Sequence, residues 1–272
     1  MDAGAVVYSG PIIDVHFHPM LGKEPILGSL PHAPENYLDL VKGLDVRFIG
    51  SLAIAPKGDL TKTRNENDAL LKLAKETHGR FYAVCSVHPL DGIDALQEVD
   101  RIATLGAKAL KLHPNTQQFD VADPLVEQVV TRASMKNLPV LFDAYSPFDA
   151  NQAGKFVTLA MKVPEAKLIL AHAHGNRFSD LLVYEILARY PWWKRNVWID
   201  LSATANLFSN SPFAEQFVWV LRKVGVDRLL FGSDYPLDNP KSAFEGVVNL
   251  KFTSNELERI FFRNASELLN LN

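Results

Sequence analysis

The chain has 272 residues, of which 47% are hydrophobic and 22% charged, so it can bury a sizeable core. Its 28 basic and 31 acidic side chains leave a formal net charge of −3 without a long run of like charge, which argues against nucleic acid as a partner. The first residues lack a secretory-signal pattern and no stretch approaches about 18 uninterrupted apolar residues, so we expect a cytoplasmic protein that does not span a membrane.

Eight short apolar runs, rich in β-branched residues, recur along the chain, and each has the length of a strand. Segments with helical spacing separate them, for example residues 65–79, where Asn65 or Asn67 could cap the start and Gly79 ends the helix. The lone cysteine, Cys85, lies in the third run, which predicts a buried thiol. The predicted strands are 11–18, 48–55, 81–88, 107–113, 139–145, 167–174, 197–203 and 228–234, and further helical segments are 123–137 and 179–191.

The alternation of continuous apolar strands with helices predicts parallel strands that are buried on both faces. Eight such units match a closed (β/α)8 barrel better than an open doubly wound sheet. No G-x-G-x-x-G loop follows the first run, and no proline- or serine-rich linker divides the chain. We therefore predict a single (β/α)8 TIM-type barrel domain over residues 1–272.

Polar side chains stand at the carboxyl ends of most predicted strands. In a closed barrel these ends meet on one face, which carries the active site in such enzymes. The sequence therefore predicts one polar site at this face. Its candidate members are His16 and His18 (strand 1), His88 (strand 3), Lys111 and His113 (strand 4), Asp143 (strand 5), His172 and His174 (strand 6), Asp200 and Ser202 (strand 7), and Ser233 and Asp234 (strand 8).

The stretch I-I-D-V-H-F-H-P, residues 12–19, places two histidines one residue apart on a strand. Residues i and i+2 point to the same face, so His16 and His18 would direct both imidazoles to one point, as ligands of a divalent ion do. Alone the pattern is weak, because a pair of hydrogen-bonded core histidines has the same spacing. It gains weight from Asp234, since a closed barrel brings strand 8 beside strand 1.

Four motifs together resemble the amidohydrolase superfamily, most closely its amidohydrolase-2 branch, which includes aminocarboxymuconate-semialdehyde decarboxylase-like enzymes and lactone and amide hydrolases. They are I-D-V-H-F-H (13–18), K-L-H-P (111–114), L-I-L-A-H (168–172) and F-G-S-D-Y-P (231–236). The resemblance implies that His16, His18 and Asp234 hold a metal ion. It also implies that His172 is an acid/base residue near the metal or an additional ligand.

The sequence departs from the branch at two positions. Branch members usually carry a histidine ligand at the end of strand 5, where this chain has Asp143, and a glycine where it has His174. Asp143 could be an oxygen ligand or a partner of a ligating histidine. We expect one divalent ion, zinc, with manganese as the alternative that a carboxylate-rich ligand set would favour.

The chemistry that the resemblance implies is hydrolysis of a C–N or C–O bond in a small amide or lactone, which could carry a carboxylate. A bound divalent ion lowers the pKa of water toward about 7, and Asp234 and His172 would be the catalytic acid/base residues. Three alternatives stay open: metal-dependent decarboxylation of a small unsaturated or aromatic acid, metal-independent lactone hydrolysis, and a non-catalytic barrel that binds a small molecule.

Further residues of the same face are candidates for binding a small-molecule substrate: Lys111, His113, His88, His174, Tyr145 and Arg177. Lys111 could instead pair with a carboxylate, or be carboxylated and bridge two metals as in some superfamily members. The loop after strand 1 is long enough to act as a lid, with His32 as an exposed loop residue. Trp192 and Trp193 lie away from the site, where they would form an oligomer contact or pack between helices.

Overall fold

The computed structural model of the protein describes residues 8–20 and 32–271. Eight parallel strands form one sheet, in which each strand pairs with the next along the chain. The sheet curves round so that Phe17 bridges Tyr235, which brings the segment after the last strand beside the first strand. The strands are β1 (Ile12–Phe17), β2 (Val46–Leu52), β3 (Phe81–Ser86), β4 (Ala109–Leu112), β5 (Val140–Asp143), β6 (Leu168–Ala171), β7 (Val197–Asp200) and β8 (Leu229–Leu230).

Helices follow the strands and cover the outside of the sheet. The predicted (β/α)8 barrel is thereby confirmed, and most strands are buried throughout, as parallel strands covered on both faces must be. The helices are α1 (Pro34–Leu40), α2 (Leu60–Glu76), α3 (Ile93–Thr104), α4 (Pro114–Gln117), α5 (Pro124–Met135), α6 (Gln152–Lys162), α7 (Leu182–Leu187), α8 (Thr204–Ser209), α9 (Ala214–Val224), α10 (Pro240–Asn249), α11 (Ser254–Glu258) and α12 (Asn264–Leu269).

The last helix, α12, covers the amino ends of the strands. Leu268 and Leu269 belong to an inner cluster with buried side chains of β1 to β6 and β8, among them Ile13 and Tyr82. Lys108, just before β4, donates a hydrogen bond from Nζ to the carbonyl of Asn270. The amino-terminal end of the barrel is thus filled by apolar side chains, and the polar groups collect at the opposite end.

The prediction that Asn65 or Asn67 caps the helix before β3 is wrong. Helix α2 begins earlier, and Asp59 caps it by accepting a hydrogen bond from the backbone N–H of Lys62. Asn67 lies inside the helix, fully buried, and its amide bonds both backbone groups of Ser86. An asparagine that pairs with a neighbouring strand cannot be told from a capping asparagine by its place in the sequence.

Several further expectations are also decided by the fold. Cys85 is buried and free, as predicted. His32, expected to be exposed, is fully buried. Most of the proposed lid, residues 21–31, lies outside the described residues. Among the helices that are described, none combines the length and the hydropathy needed to cross a membrane.

Candidate metal and active site

The site is built across the junction of β1 with the end of β8. The carboxylate of Asp14 accepts hydrogen bonds from the backbone N–H groups of His16 and Ser233, each at 2.9 Å, and from the hydroxyl of Tyr37 at 2.6 Å. Burial raises the pKa of Asp14 to about 6, because the three donors only partly offset the loss of solvent. Asp14 therefore fixes the two backbone segments that carry the candidate ligands.

Three ligand atoms from these segments converge. His16 Nε2 lies 3.2 Å from His18 Nε2 and 3.2 Å from Asp234 Oδ1, and His18 Nε2 lies 3.5 Å from the same oxygen. Ligands of a tetrahedral zinc ion, with bonds of about 2.0–2.1 Å, are about 3.3 Å from one another. All three side chains are buried. The triangle that the sequence predicted has the dimensions that such an ion requires.

The ring of His16 is oriented by Asp200. His16 Nδ1 lies 2.7 Å from Asp200 Oδ2, and the same oxygen accepts a hydrogen bond from Ser202 Oγ at 2.9 Å. A hydrogen on Nδ1 satisfies the carboxylate and leaves the lone pair on Nε2, facing the triangle. Burial, together with nearby Lys111, keeps the pKa of His16 well below its usual value, so the imidazole is neutral, which is the form that binds metal.

The ring of His172 lies next to the triangle, with one ligand atom within 4.8 Å of the ligand atoms of His16 and Asp234. Its Nε2 lies 3.1 Å from Asp143 Oδ2, and its Nδ1 lies 3.3 Å from the carbonyl of Ser202. Burial lowers the pKa of His172, but the hydrogen bond to Asp143 and the charge of Asp234 outweigh it and raise the pKa to about 9. His172 can therefore hold a proton on each nitrogen and act as a proton donor.

Asp143, the departure at strand 5, serves two histidines. Besides His172, it faces His113, with a distance of 3.4 Å from His113 Nε2 to Asp143 Oδ2. Burial would raise the pKa of Asp143, yet the hydrogen bond with His172 and the charges around it hold that pKa below its usual range. Burial also lowers the pKa of His113 to about 4, so His113 is neutral at pH 7. Its contacts place Asp143 as a partner of His172, beside the triangle.

Lys111 reaches the same centre from β4. Its side chain is only 1% exposed, and its Nζ lies 3.2 Å from His16 Nε2. Within the described part of the chain, no carboxylate oxygen lies within 4.0 Å of this amine, so the pairing expected as one alternative is absent there. Burial lowers the pKa of Lys111, against the attraction of Asp143, Asp234 and Asp200.

Four residues proposed for substrate binding have other contacts. His88 Nε2 lies 2.7 Å from the carbonyl of Gln117, and His174 Nδ1 lies 2.8 Å from the carbonyl of Ala144. Arg177 pairs with Asp180 at 2.8 Å and also donates to the carbonyl of Ala150. The ring of Tyr145 packs against the backbone of Gly175, where a Cβ would come within 2.6 Å of it. These contacts orient the loops around the site, whereas Lys111 and His113 join the central cluster.

Sequence reasoning missed the role of Asp14 and left Asp200 undecided. Asp14 stands two residues before His16, and Asp200 ends the strand next to β8. Both positions are visible in the sequence, but a buried carboxylate that supports a backbone segment or a histidine ring has no spacing of its own. Only the distances show which groups it serves.

Comparison with known proteins shows the family and the fold of the chain. The family model described as Amidohydrolase matches residues 13–271. No curated protein matches the sequence. Among solved structures, 2,6-dihydroxybenzoate decarboxylase from Rhizobium is similar with a TM-score of 0.73 and 15% identity, covering 97% of this chain and 99% of its own.

Two further structures have the same fold. A putative 2-pyrone-4,6-dicarboxylic acid hydrolase from Pseudomonas putida has a TM-score of 0.68 at 17% identity, with coverage of 95% of this chain and 97% of its own. The 5-carboxyvanillate decarboxylase from Novosphingobium aromaticivorans, solved with manganese and 4-hydroxy-3-methoxy-5-nitrobenzoic acid, has a TM-score of 0.66 at 16% identity, with coverage of 87% and 80%. At these identities the likeness establishes the shared fold.

Proposed function

Because this chain belongs to the amidohydrolase family, we propose that it is a metal-dependent hydrolase that cleaves a C–N or C–O bond beside a carbonyl in a small amide or lactone, which could carry a carboxylate. The observation that carries the proposal is the triangle of His16 Nε2, His18 Nε2 and Asp234 Oδ1, with sides of 3.2, 3.2 and 3.5 Å. The protonated ring of His172 lies beside it.

His16, His18 and Asp234 would hold one divalent ion, and His172 would add a fourth ligand nitrogen only in its neutral form, since an imidazolium has no lone pair to give. Two imidazole nitrogens and a carboxylate oxygen suit zinc, and manganese is the alternative, supported by the manganese-bound decarboxylase of the same fold. When bound, the ion would polarise a substrate carbonyl and lower the pKa of water.

The chain's own groups supply the proton transfers. Asp234, whose pKa is held below its usual range by the surrounding histidines against the effect of burial, is placed to accept a proton from the attacking water. His172, charged through Asp143, is placed to donate a proton to the leaving nitrogen or oxygen as its bond to carbon breaks. The water oxygen forms a new bond to the carbonyl carbon, and the bond from that carbon to the leaving nitrogen or oxygen breaks. Asp234 takes one proton from water and His172 gives one to the leaving group, so the hydrolysis balances.

Decarboxylation is the second candidate, and the charged state of His172 favours it. A carbon that loses carbon dioxide must take up a proton, and His172 carries one at neutral pH because its pKa is raised to about 9. Two of the structures with this fold are named as decarboxylases of aromatic acids. The same residues would then act on a carboxylated substrate without the addition of water.

The first experiment is elemental analysis of the purified protein beside a His16→Ala, His18→Ala double variant. We expect about one zinc or manganese per chain, lost in the double variant. Asp234→Asn should lose turnover with its circular dichroism unchanged, while Asp238→Asn, at a half-buried neighbour bonded to Asn206, serves as the control. A wild-type protein without metal, and without activation by added zinc or manganese, would overturn the proposal.

The metal-loaded protein can then be assayed on lactones, amides and β-keto or enoic acids. Ring opening or amide cleavage without gas supports hydrolysis, whereas carbon dioxide released in proportion to substrate consumed supports the second candidate. The two outcomes separate because only decarboxylation removes a carbon from the substrate.

A further inference from the structure

The amine of Lys111 and the proposed metal use the same atom of His16. We infer that the amine of Lys111 and the divalent ion are alternative partners of a single lone pair, so that Lys111 competes with the ion for His16 and must be displaced when the ion binds. The inference rests on the proposed metal site, and the juxtaposition that carries it is Lys111 Nζ at 3.2 Å from His16 Nε2.

His16 Nε2 can serve only one partner at a time. Its Nδ1 lies 2.7 Å from Asp200 Oδ2 and needs the ring hydrogen there, so Nε2 offers one in-plane lone pair. Lys111 Nζ lies within hydrogen-bond distance of that lone pair, and a metal bond would require the same electrons. Binding of the ion therefore breaks the hydrogen bond from Lys111.

Lys111 has little freedom to find another partner. It lies in the middle of β4, paired with Ser86 on one side and Leu141 on the other, and its side chain is 1% exposed. His16 Nε2 is the one hydrogen-bond acceptor found for its Nζ among the described residues. A buried amine that loses its acceptor raises the free energy of the metal-bound state, so Lys111 lowers the metal affinity.

The test is titration of metal-free protein with zinc and, separately, with manganese. Lys111→Met removes the competitor, and we expect the dissociation constant for metal to fall by about tenfold, as the loss of a competing hydrogen bond to His16 implies. Lys111→Arg keeps a hydrogen-bond donor at this position and should show no gain. Lys108→Met, at the other end of β4, is the control and should match the wild type.

Thermal unfolding of the same proteins gives a readout independent of turnover. Metal should raise the melting temperature of Lys111→Met by more than that of the wild type, because the variant has no amine to displace from His16. Weaker metal binding by Lys111→Met would mean that Lys111 is itself a ligand, carboxylated or not, and would overturn the inference. Unchanged affinity would overturn it as well.

A crystal structure of the wild type with zinc tests the same point if the variants fail to fold. Lys111 Nζ should lie beyond hydrogen-bond distance of His16 Nε2, and an Nζ still bonded to it or coordinated to the ion contradicts the inference. Failure here is separable from failure of the proposed function, since a wild type that binds metal while Lys111→Met gains no affinity leaves the enzyme proposal standing.

Discussion

The nitrogens of His16 have distinct tasks because their neighbours differ. Nδ1 contacts the carboxylate of Asp200, and Nε2 faces the other two candidate ligand atoms. Asp200→Asn should weaken metal binding by about 10- to 100-fold. The amide can donate to Nδ1, which would move the ring hydrogen to Nε2 and remove the lone pair that the ion needs. Calorimetric titration with zinc measures the change, with Asp238→Asn as the control. An unchanged affinity would show that Asp200 does not determine the tautomer of the His16 ring.

The contacts of Asp143 allow its two sequence-based interpretations to be separated. Its Oδ2 lies 3.1 Å from His172 Nε2 and 3.4 Å from His113 Nε2, so it supports histidine rings. We expect Asp143→Asn to keep its metal and to lose turnover by about 100-fold or more, because His172 would no longer be held as a charged donor. Elemental analysis and an activity assay test the two halves. Loss of the metal would make Asp143 a ligand.

At the residue scale, the candidate metal ligands and acid/base residues could be predicted from the sequence, but the side chains that position them could not. His16, His18, Asp234 and His172 could be found because strand periodicity and barrel closure determine where they point. Lys111 was predicted to lie at the end of strand 4 on the face that carries the site, but its contact with His16 joins β4 to β1, and no spacing along the chain encodes a contact between strands that are not neighbours in the sheet.

At the scale of single helices, α11 begins with a reciprocal cap that is joined to α9. Glu256 accepts hydrogen bonds from the backbone N–H of Thr253 and, through both carboxylate oxygens, from Arg222. The Arg222 guanidinium is the main reason that the pKa of Glu256 falls from 4.5 to about 2. The side chain is 19% exposed, so the pair is partly shielded from solvent.

Glu256→Gln should therefore lower the free energy of unfolding by about 1–2 kcal/mol at pH 7. The folded pKa is depressed, so the stabilisation is complete above about 4.5 and is lost as the pH falls through about 2. Urea unfolding at pH 7 and pH 3 should show a smaller difference from wild type at pH 3. Glu258→Gln, whose pair with Arg263 is exposed, should cost less than about 0.5 kcal/mol. A pH-independent difference would contradict this account.

The lengths of the elements were harder to predict than their order. Residues 228–234 were predicted as one strand, but β8 ends at Leu230. Beyond it the chain turns, and Asp234 has a φ of 60°, held by the hydrogen bond from its N–H to the carbonyl of His16 at 2.7 Å. The apolar run predicted a strand here, but the backbone turns and directs the carboxylate of Asp234 into the site. Hydrophobic periodicity gives no sign of such a turn.

At the scale of the whole molecule, α12 seals the end of the barrel opposite the site. Leu269 is 4% exposed and lies in the cluster with the strand residues. Leu269→Ala should cost about 2–4 kcal/mol through lost contacts and the resulting cavity, with metal affinity unchanged because the ligands lie at the other end. Chemical denaturation measures the cost. Leu105→Ala, at a side chain 53% exposed, should change stability by less than about 0.5 kcal/mol.

The position of the ligands at the β1–β8 junction has a consequence for how the barrel stays closed. Neighbouring strands elsewhere in the sheet are consecutive in sequence, but His16 and Ser233, which are bonded across this junction, are 217 residues apart. Closing so long a loop carries the largest entropic cost in the sheet. An ion bound by both sides would act as a cross-link between the first and last strands, as a disulfide does.

Removing the metal should therefore loosen this junction before any other part of the sheet. The amide of His18, which donates to the carbonyl of Tyr235 at 2.9 Å, should exchange with solvent faster after chelation, whereas the amide of Leu110, bonded to Pro139 on the far side, should not change. Hydrogen exchange followed by mass spectrometry can compare the two. The ion proposed to polarise the substrate would then also hold the first and last strands together and so keep the barrel closed.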